Sequence, residues 1–174
     1  MRRIILFIAT SLDGYIARPS GEVDWLFTDQ DYGYTEFLAS VDTLLMGRKT
    51  YEQVLTFGEF PYLGKECHVF STDPHFNAEP HAQTVRTDIK TFVEELRHTA
   101  GKHIWLVGGA TLIHPFIEWG LLDELVVSIH PILLGDGVPL CNKTNLTTPL
   151  KLIKNQSYDS GLMQLTYYVS KQNN

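Results

Sequence analysis

The stretch Leu44-Leu45-Met46-Gly47-Arg48-Lys49-Thr50-Tyr51-Glu52 decides the architecture. Thr43 to Met46 is a short apolar run of strand type. Gly47 turns the backbone without a Cβ penalty. Two cations follow, and then a helix. Thr50 and Gln53 fit a capping box, with the hydroxyl accepting from a backbone N–H three residues on and the amide reaching back. A helix N-terminus carries unpaired N–H groups, so Arg48 and Lys49 beside one mark a potential phosphate site. Taken alone, the two cations read as solvated charges.

The reading sharpens at Val107-Gly108-Gly109-Ala110-Thr111, where a second strand end meets a second helix start. Ile104 to Val107 is a continuous apolar run, the kind buried on both faces of a parallel sheet. Gly108-Gly109 allows close backbone approach, so the first-turn N–H groups face whatever sits there. Two phosphate-grade corners in one small chain point to a ligand with phosphates at two places. A dinucleotide carrying an extra phosphate fits that description.

Outward from these corners, residues 3–9 form a first strand, and Asp13-Gly14 forms a turn that re-enters an extended segment. A helix spans Asp29 to Ser40, with Tyr34, Phe37 and Leu38 at helical spacing. Asp29 and Asp31 stand at its start, where a carboxylate either caps the helix or points into a cleft. Cys67 to Phe70 is a strand ending at the hydroxyls Ser71-Thr72. Ala82 to Arg86 is another strand, and Asp88 caps a helix reaching His98. The Gly108-Gly109 helix runs through Glu118, and Leu122 to Ile129 is the next strand. A last hairpin pairs Leu150–Tyr158 with Leu162–Ser170.

Strand–helix alternation followed by a strand-only C-terminal third predicts an α/β fold. It is a three-layer α/β/α sandwich over 1–174, with a mixed, mostly parallel central sheet and antiparallel C-terminal strands. Ligands in such sheets bind at the carboxyl ends of the strands, so Gly47–Thr50, Ser71-Thr72 and Gly108–Thr111 should line one rim.

Composition bounds the function. The chain has 174 residues, 44% of them hydrophobic and 20% charged, as in a globular domain with a sizeable core. The net charge of −6 excludes a general nucleic-acid binder and leaves any anion to local cations. The apolar run ending at Ala9 is too short for a secretory or membrane segment, so a cytoplasmic protein is expected. Cys67 and Cys141, both in apolar surroundings, read as reduced thiols. Sequons at Asn142, Asn145 and Asn155 carry no weight in that setting. The histidines lack metal-ligand spacing, so no metal is expected.

Met46-Gly47-Arg48-Lys49-Thr50-Tyr51-Glu52, Val69-Phe70-Ser71-Thr72 and Val107-Gly108-Gly109-Ala110, in that order, resemble the dihydrofolate reductase family along nearly the whole chain. Ser11-Leu12-Asp13-Gly14-Tyr15-Ile16-Ala17 and His130 to Leu140 resemble more closely the reductase domain of the bifunctional riboflavin-pathway deaminase–reductase and its stand-alone relatives. The resemblance implies a dihydrofolate reductase-like fold and NADPH as hydride donor. It implies that Arg48 and Ser71, with Thr72, hold the 2′-phosphate at the Gly47 corner. Lys49 and Thr50 would contact phosphates and adenosine ribose. Gly108, Gly109, Ala110, Thr111 and Leu112 would cradle the pyrophosphate, and Ala9, Leu12 and Ile16 would flank the nicotinamide.

On the substrate side, Asp31 and Asp13 stand equally as polar residues that supply or position a proton, with Asp29 third. Lys65 occupies the place of the arginine that holds the glutamate tail in folate enzymes, and it lacks the planar fork. The expected activity is NADPH-dependent reduction of a small pyrimidine- or pteridine-like heterocycle. Reduction of a ribosylaminopyrimidine in riboflavin biosynthesis is the first specific reading and dihydrofolate reduction the second. A non-catalytic NADPH-binding module and a structural dimer with a vestigial cleft are the contrasting readings. The resemblance also implies a homodimer; the edge of the C-terminal strands is one surface it could cover, and the sequence does not single out the interface.

Overall fold

The computed structural model describes residues 1–142 and 147–170. The sequon at Asn145 lies outside the described residues. The strands are β1 (Ile4–Ser11), β2 (Tyr15–Ala17), β3 (Val41–Gly47), β4 (Glu66–Phe70) and β5 (Gln83–Val85). They continue with β6 (His103–Gly108), β7 (Glu124–His130), β8 (Val138–Pro139), β9 (Leu150–Ser157) and β10 (Met163–Val169). The helices are α1 (Tyr34–Ser40), α2 (Arg48–Leu55), α3 (Ile89–His98) and α4 (Ala110–Glu118).

Eight strands form the main sheet in the order β5-β4-β3-β6-β1-β7-β10-β9. Every pairing from β5 to β7 is parallel, and β10 joins β7 and β9 antiparallel. This is the expected mixed sheet. The two-residue period of the strands splits the core into two layers. Ile4, Leu6, Leu45, Ile104 and Leu106 pack against α3 and α4 through Val93, Leu96, Ile113 and Phe116. Leu44, Met46, Val69 and Trp105 pack against α2 and α1 through Tyr51, Val54 and Phe37. The three-layer sandwich follows from that alternation.

Local departures have identifiable causes. The helix expected from Asp29 begins only at Tyr34, because Tyr32 (φ 51) and Gly33 (φ 77) both take left-handed backbone. The capping box at Thr50 is absent. The helix α2 starts two residues earlier, at Arg48, with Gly47 as its N-cap and no side-chain cap. Gln53 donates instead to the Gly21 carbonyl at 2.9 Å. Asp88 does cap α3, accepting from the Thr91 N–H at 2.9 Å. Cys141 is exposed rather than packed in apolar surroundings, while Cys67 is buried, and burial pushes its thiol up to about 11. The turn after β1 feeds a second, two-stranded sheet in which β2 pairs antiparallel with β8. No helix among the described residues is long and apolar enough to cross a membrane.

Candidate functional site

Parallel pairing brings the strand ends to one rim. Gly47 pairs with Phe70, and Met46 with Gly108, so the ends of β3, β4 and β6 lie level. The helices α2 and α4 start at that rim, from Gly47 and Gly109, and neither N-terminus has a side-chain cap. The first N–H groups of a helix have no partner within it. Here two such ends converge where the chain offers no capping side chain of its own.

Between them runs a cleft of about 710 Å³. Its walls include Gly47, Arg48, Lys49 and Thr50 on one side and Gly109, Thr111 and Leu112 on the other. Ser71 and Thr72 line the far wall. Nine of the residues proposed from sequence to touch a nucleotide therefore share one cavity, and Gly108 and Ala110 flank them in the chain. Ala9, Leu12 and Ile16 stand elsewhere. Ala9 pairs with Ser128 inside the sheet, Leu12 is 64% exposed, and Ile16 packs against the α3–α4 core layer.

The glycine pair is required by geometry. Gly108 (φ 124) and Gly109 (φ 89) both adopt backbone that side chains disfavour. A Cβ on Gly109 would lie 3.1 Å from the Thr50 hydroxyl. A side chain at that position would push the Thr50 hydroxyl aside by a few tenths of an ångström, in addition to straining the backbone. A cavity with two open helix ends, a bare glycine backbone and cations at its wall fits the phosphates of a dinucleotide. Asp73, Val85, Arg86, Thr87 and Ile89 also line it, and sequence reading missed all five. The signal for them was positional, since 73 and 85–89 continue directly from the ends of β4 and β5.

The carboxylates proposed from sequence lie outside that cavity, and each is engaged by its own chain. Asp31 is exposed and accepts from the Thr35 N–H at 3.0 Å and from its hydroxyl, holding the first turn of α1. Burial pushes the Tyr34 and Tyr158 hydroxyls up, and the Asp31 charge adds to that shift. Asp13 accepts from the Leu134 and Gly135 N–H groups at 3.1 and 2.8 Å, tying the first turn to the loop after β7. Its carboxyl is held below the usual value, chiefly by a hydrogen bond with Ser11, which with the smaller help of the Gly135 and Leu134 amides outweighs the opposing effect of desolvation. Asp29 accepts from the Tyr32 hydroxyl at 2.7 Å. Lys65 donates to the Leu38 and Val41 carbonyls, both at 2.8 Å, so its ammonium closes the C-terminus of α1.

A second cluster went unread. His130 ends β7 beside Ser11 and is buried. Its Nε2 accepts from the Phe27 N–H at 3.2 Å, and its Nδ1 meets the Ser128 carbonyl at 3.2 Å. That pairing assigns the Nδ1–H tautomer. Trp25 and Phe27 lie edge-on to the imidazole, with centroids 5.1 and 4.9 Å away. Burial pushes the His130 pKa down, outweighing the backbone carbonyls that favour its proton. The ring is therefore neutral, and it fastens the Trp25–Phe27 loop to the sheet.

Comparison with known proteins agrees with this geometry. Residues 2–58 and 64–164 match the family model of the RibD C-terminal domain. The uncharacterized protein YyaP of Bacillus subtilis (strain 168) is 39% identical over 179 residues, spanning 96% of this chain and 95% of that protein. The structure of a candidate riboflavin biosynthesis protein from Shewanella sp. PV-4 superposes with a TM-score of 0.85 at 33% identity, over 97% of this chain and 99% of that one. A dihydrofolate reductase from Enterococcus faecalis, solved as a complex with NADP(H), shares the fold with a TM-score of 0.72 at 14% identity, over 97% of each chain.

Proposed function

The chain belongs to the RibD C-terminal domain family, a family of reductase domains, and from that premise we propose that it is an NADPH-dependent reductase of a small heterocyclic substrate. The observation that carries this reading is the cleft in which two uncapped helix N-termini, the Gly109 backbone and Arg48 converge. NADPH, when bound, supplies a hydride. Arg48, with Ser71 and Thr72, holds the adenosine 2′-phosphate through forked, charge-assisted bonds. Lys49 and Thr50 hold the adjoining phosphate and ribose. The backbone from Gly108 to Leu112 takes the pyrophosphate. Ala9, Leu12 and Ile16 border the nicotinamide.

A substrate that accepts hydride also needs a proton. We assign its relay from solvent to Asp31, which is exposed to solvent at the start of α1. Asp13 is a positioning residue that fixes the loop after β7. The substrate class we favour is a ribosylaminopyrimidine of the riboflavin type, supported by the family. Dihydrofolate is the weaker reading, because Lys65 is held by two backbone carbonyls and offers no fork to a glutamate tail. Binding without turnover, as in a nucleotide sensor, is the contrasting outcome. The protein is expected to act as a homodimer in the cytoplasm.

The test is thermal stabilisation by NADPH and by NADH, on wild type and on Arg48→Ala. A ligand at 100 times its dissociation constant stabilises by roughly 2.7 kcal/mol. NADPH should stabilise the wild type more than NADH does, and Arg48→Ala should remove the difference. No shift with either nucleotide would overturn the reading. NADPH binding with no oxidation across a panel of pyrimidines and pteridines would reduce it to a binding module.

A further inference from the structure

The cleft carries its own competitor for the 2′-phosphate. Arg48 is already partnered, because its Nη1 donates to Asp73 Oδ2 at 2.6 Å. Its Nε lies 3.5 Å from the Glu52 carboxylate, and its guanidinium carbon sits 5.9 Å from the centre of the Phe76 ring. The Asp73 carboxylate is fixed from the other side, where Oδ1 accepts from the His75 N–H at 2.9 Å. The Asp73 N–H donates to the Ser71 hydroxyl oxygen at 3.2 Å. Asp73 thus orders the turn bearing Ser71 and Thr72 and sets a negative charge in the cleft wall.

A dianionic phosphate arriving at Arg48 must displace that carboxylate or lie beside it. A ribose 2′-hydroxyl meets no such conflict, since it can donate a hydrogen bond to a carboxylate. Resting on the nucleotide reading above, we infer that Asp73 sets the discrimination between phosphorylated and unphosphorylated nicotinamide dinucleotides. It lowers the preference for the 2′-phosphate by holding Arg48 in an ion pair. The preference for NADPH over NADH in this chain is therefore narrow, and one carboxylate controls its width.

The Arg48 and Asp73 side chains are 38% and 40% exposed, so solvent and salt screen the pair. The experiment is calorimetric titration of NADPH, NADH and adenosine 2′,5′-bisphosphate into wild type, Asp73→Asn and Asp73→Glu at low and high salt. The amide keeps an oxygen for the His75 N–H, and a melting curve confirms that each variant folds. Asp73→Asn should bind NADPH and the bisphosphate about fivefold more tightly, the scale of one exposed charge pair. NADH affinity should stay level or fall. Asp73→Glu should retain wild-type discrimination, and the gain in Asp73→Asn should shrink as salt rises. Equal NADPH affinity in wild type and Asp73→Asn would overturn this inference and leave the nucleotide reading intact. Absence of dinucleotide binding in all three proteins would overturn both.

Discussion

The two ends of the rim formed by the strand carboxyl ends treat their polar groups in opposite ways. Around Gly47 and Gly109, the helices α2 and α4 have N-termini without side-chain caps, and a cavity lies between them. Around Asp13, Asp31 and His130, the side chains are occupied by the protein's own backbone at Leu134, Gly135, Thr35, Phe27 and Ser128. The difference separates a site organised for an outside partner from a scaffold that shapes its surroundings. A glycine N-cap forgoes the hydrogen bond that a Ser or Asp side chain would supply, a loss of only about a few tenths of a kcal/mol. Asp88 on α3 shows that the chain uses such a cap where it has one. The two uncapped ends differ from the α3 start in that both open onto one cavity with no side chain to take their N–H groups.

The largest effect should come from filling the close approach. Gly109→Val places a Cβ 3.1 Å from the Thr50 hydroxyl and forces a β-branched residue to φ 89. Backbone in so sparsely populated a region costs a non-glycine residue roughly 1–3 kcal/mol, so the protein should melt lower but still fold. Dinucleotide affinity, read by calorimetry, should fall at least about a hundredfold, some 2.7 kcal/mol. Retained affinity would mean that the α4 N-terminus is not where the ligand lies, and the contrast between the two regions would lose its meaning.

Legibility in the sequence followed the same division. The parallel layers were readable because strand and helix periods are local, and four apolar residues at Ile104–Val107 suffice to show a buried strand. Gly108-Gly109 was readable because that strand-to-helix corner takes positive φ at both positions and so needs glycine whatever lies far away, whereas Gly47 sits in extended backbone (φ −78) that any residue adopts. The capping box failed because Thr50 and Gln53 have the right spacing but the helix starts two residues before it. The roles of Asp13, Arg48 and Lys65 depend on partners at Leu134, Asp73 and Leu38, reached only through the fold. The small sheet pairing Tyr15 with Pro139 was hidden for the same reason. Spacing reveals backbone that must be bare, but it does not reveal which carboxylate has already been taken.

Two smaller effects test the self-satisfied region. His130 is neutral in the fold, its pKa below the ordinary histidine value of 6.5 because of burial. Its contribution to stability is therefore complete above pH 6.5 and is lost as pH falls toward the folded value, since the unfolded chain takes up the proton first. Protonation also removes the lone pair that receives the Phe27 N–H. Wild type should lose about 3 °C more than His130→Gln between pH 7 and pH 5, corresponding to roughly 1 kcal/mol. His68 and His103, also shifted down by burial, add the same sign to both proteins and cancel in the comparison. Parallel melting curves for the two proteins would place the ring outside any titrating role. Asp13→Ala should act more locally. The Leu134 and Gly135 amides should exchange with solvent about tenfold faster, while protection in β1 and β6 stays unchanged.

Asp31→Asn should have the smallest effect on the fold and is the most informative for chemistry. The amide oxygen can still accept from the Thr35 N–H, so the melting temperature should stay within about 2 °C of wild type. Dinucleotide affinity should not change, because Asp31 lies outside the cleft walls. Turnover should drop about a hundredfold if this carboxylate relays the proton, the lower end of the range for acid–base groups. The three readouts together make the variant decisive. A loss of turnover with intact folding and intact nucleotide binding assigns Asp31 to chemistry despite its bond to the start of α1. Unchanged turnover would make it a helix cap and nothing more, and the proton would then reach the substrate by a route that does not use Asp31.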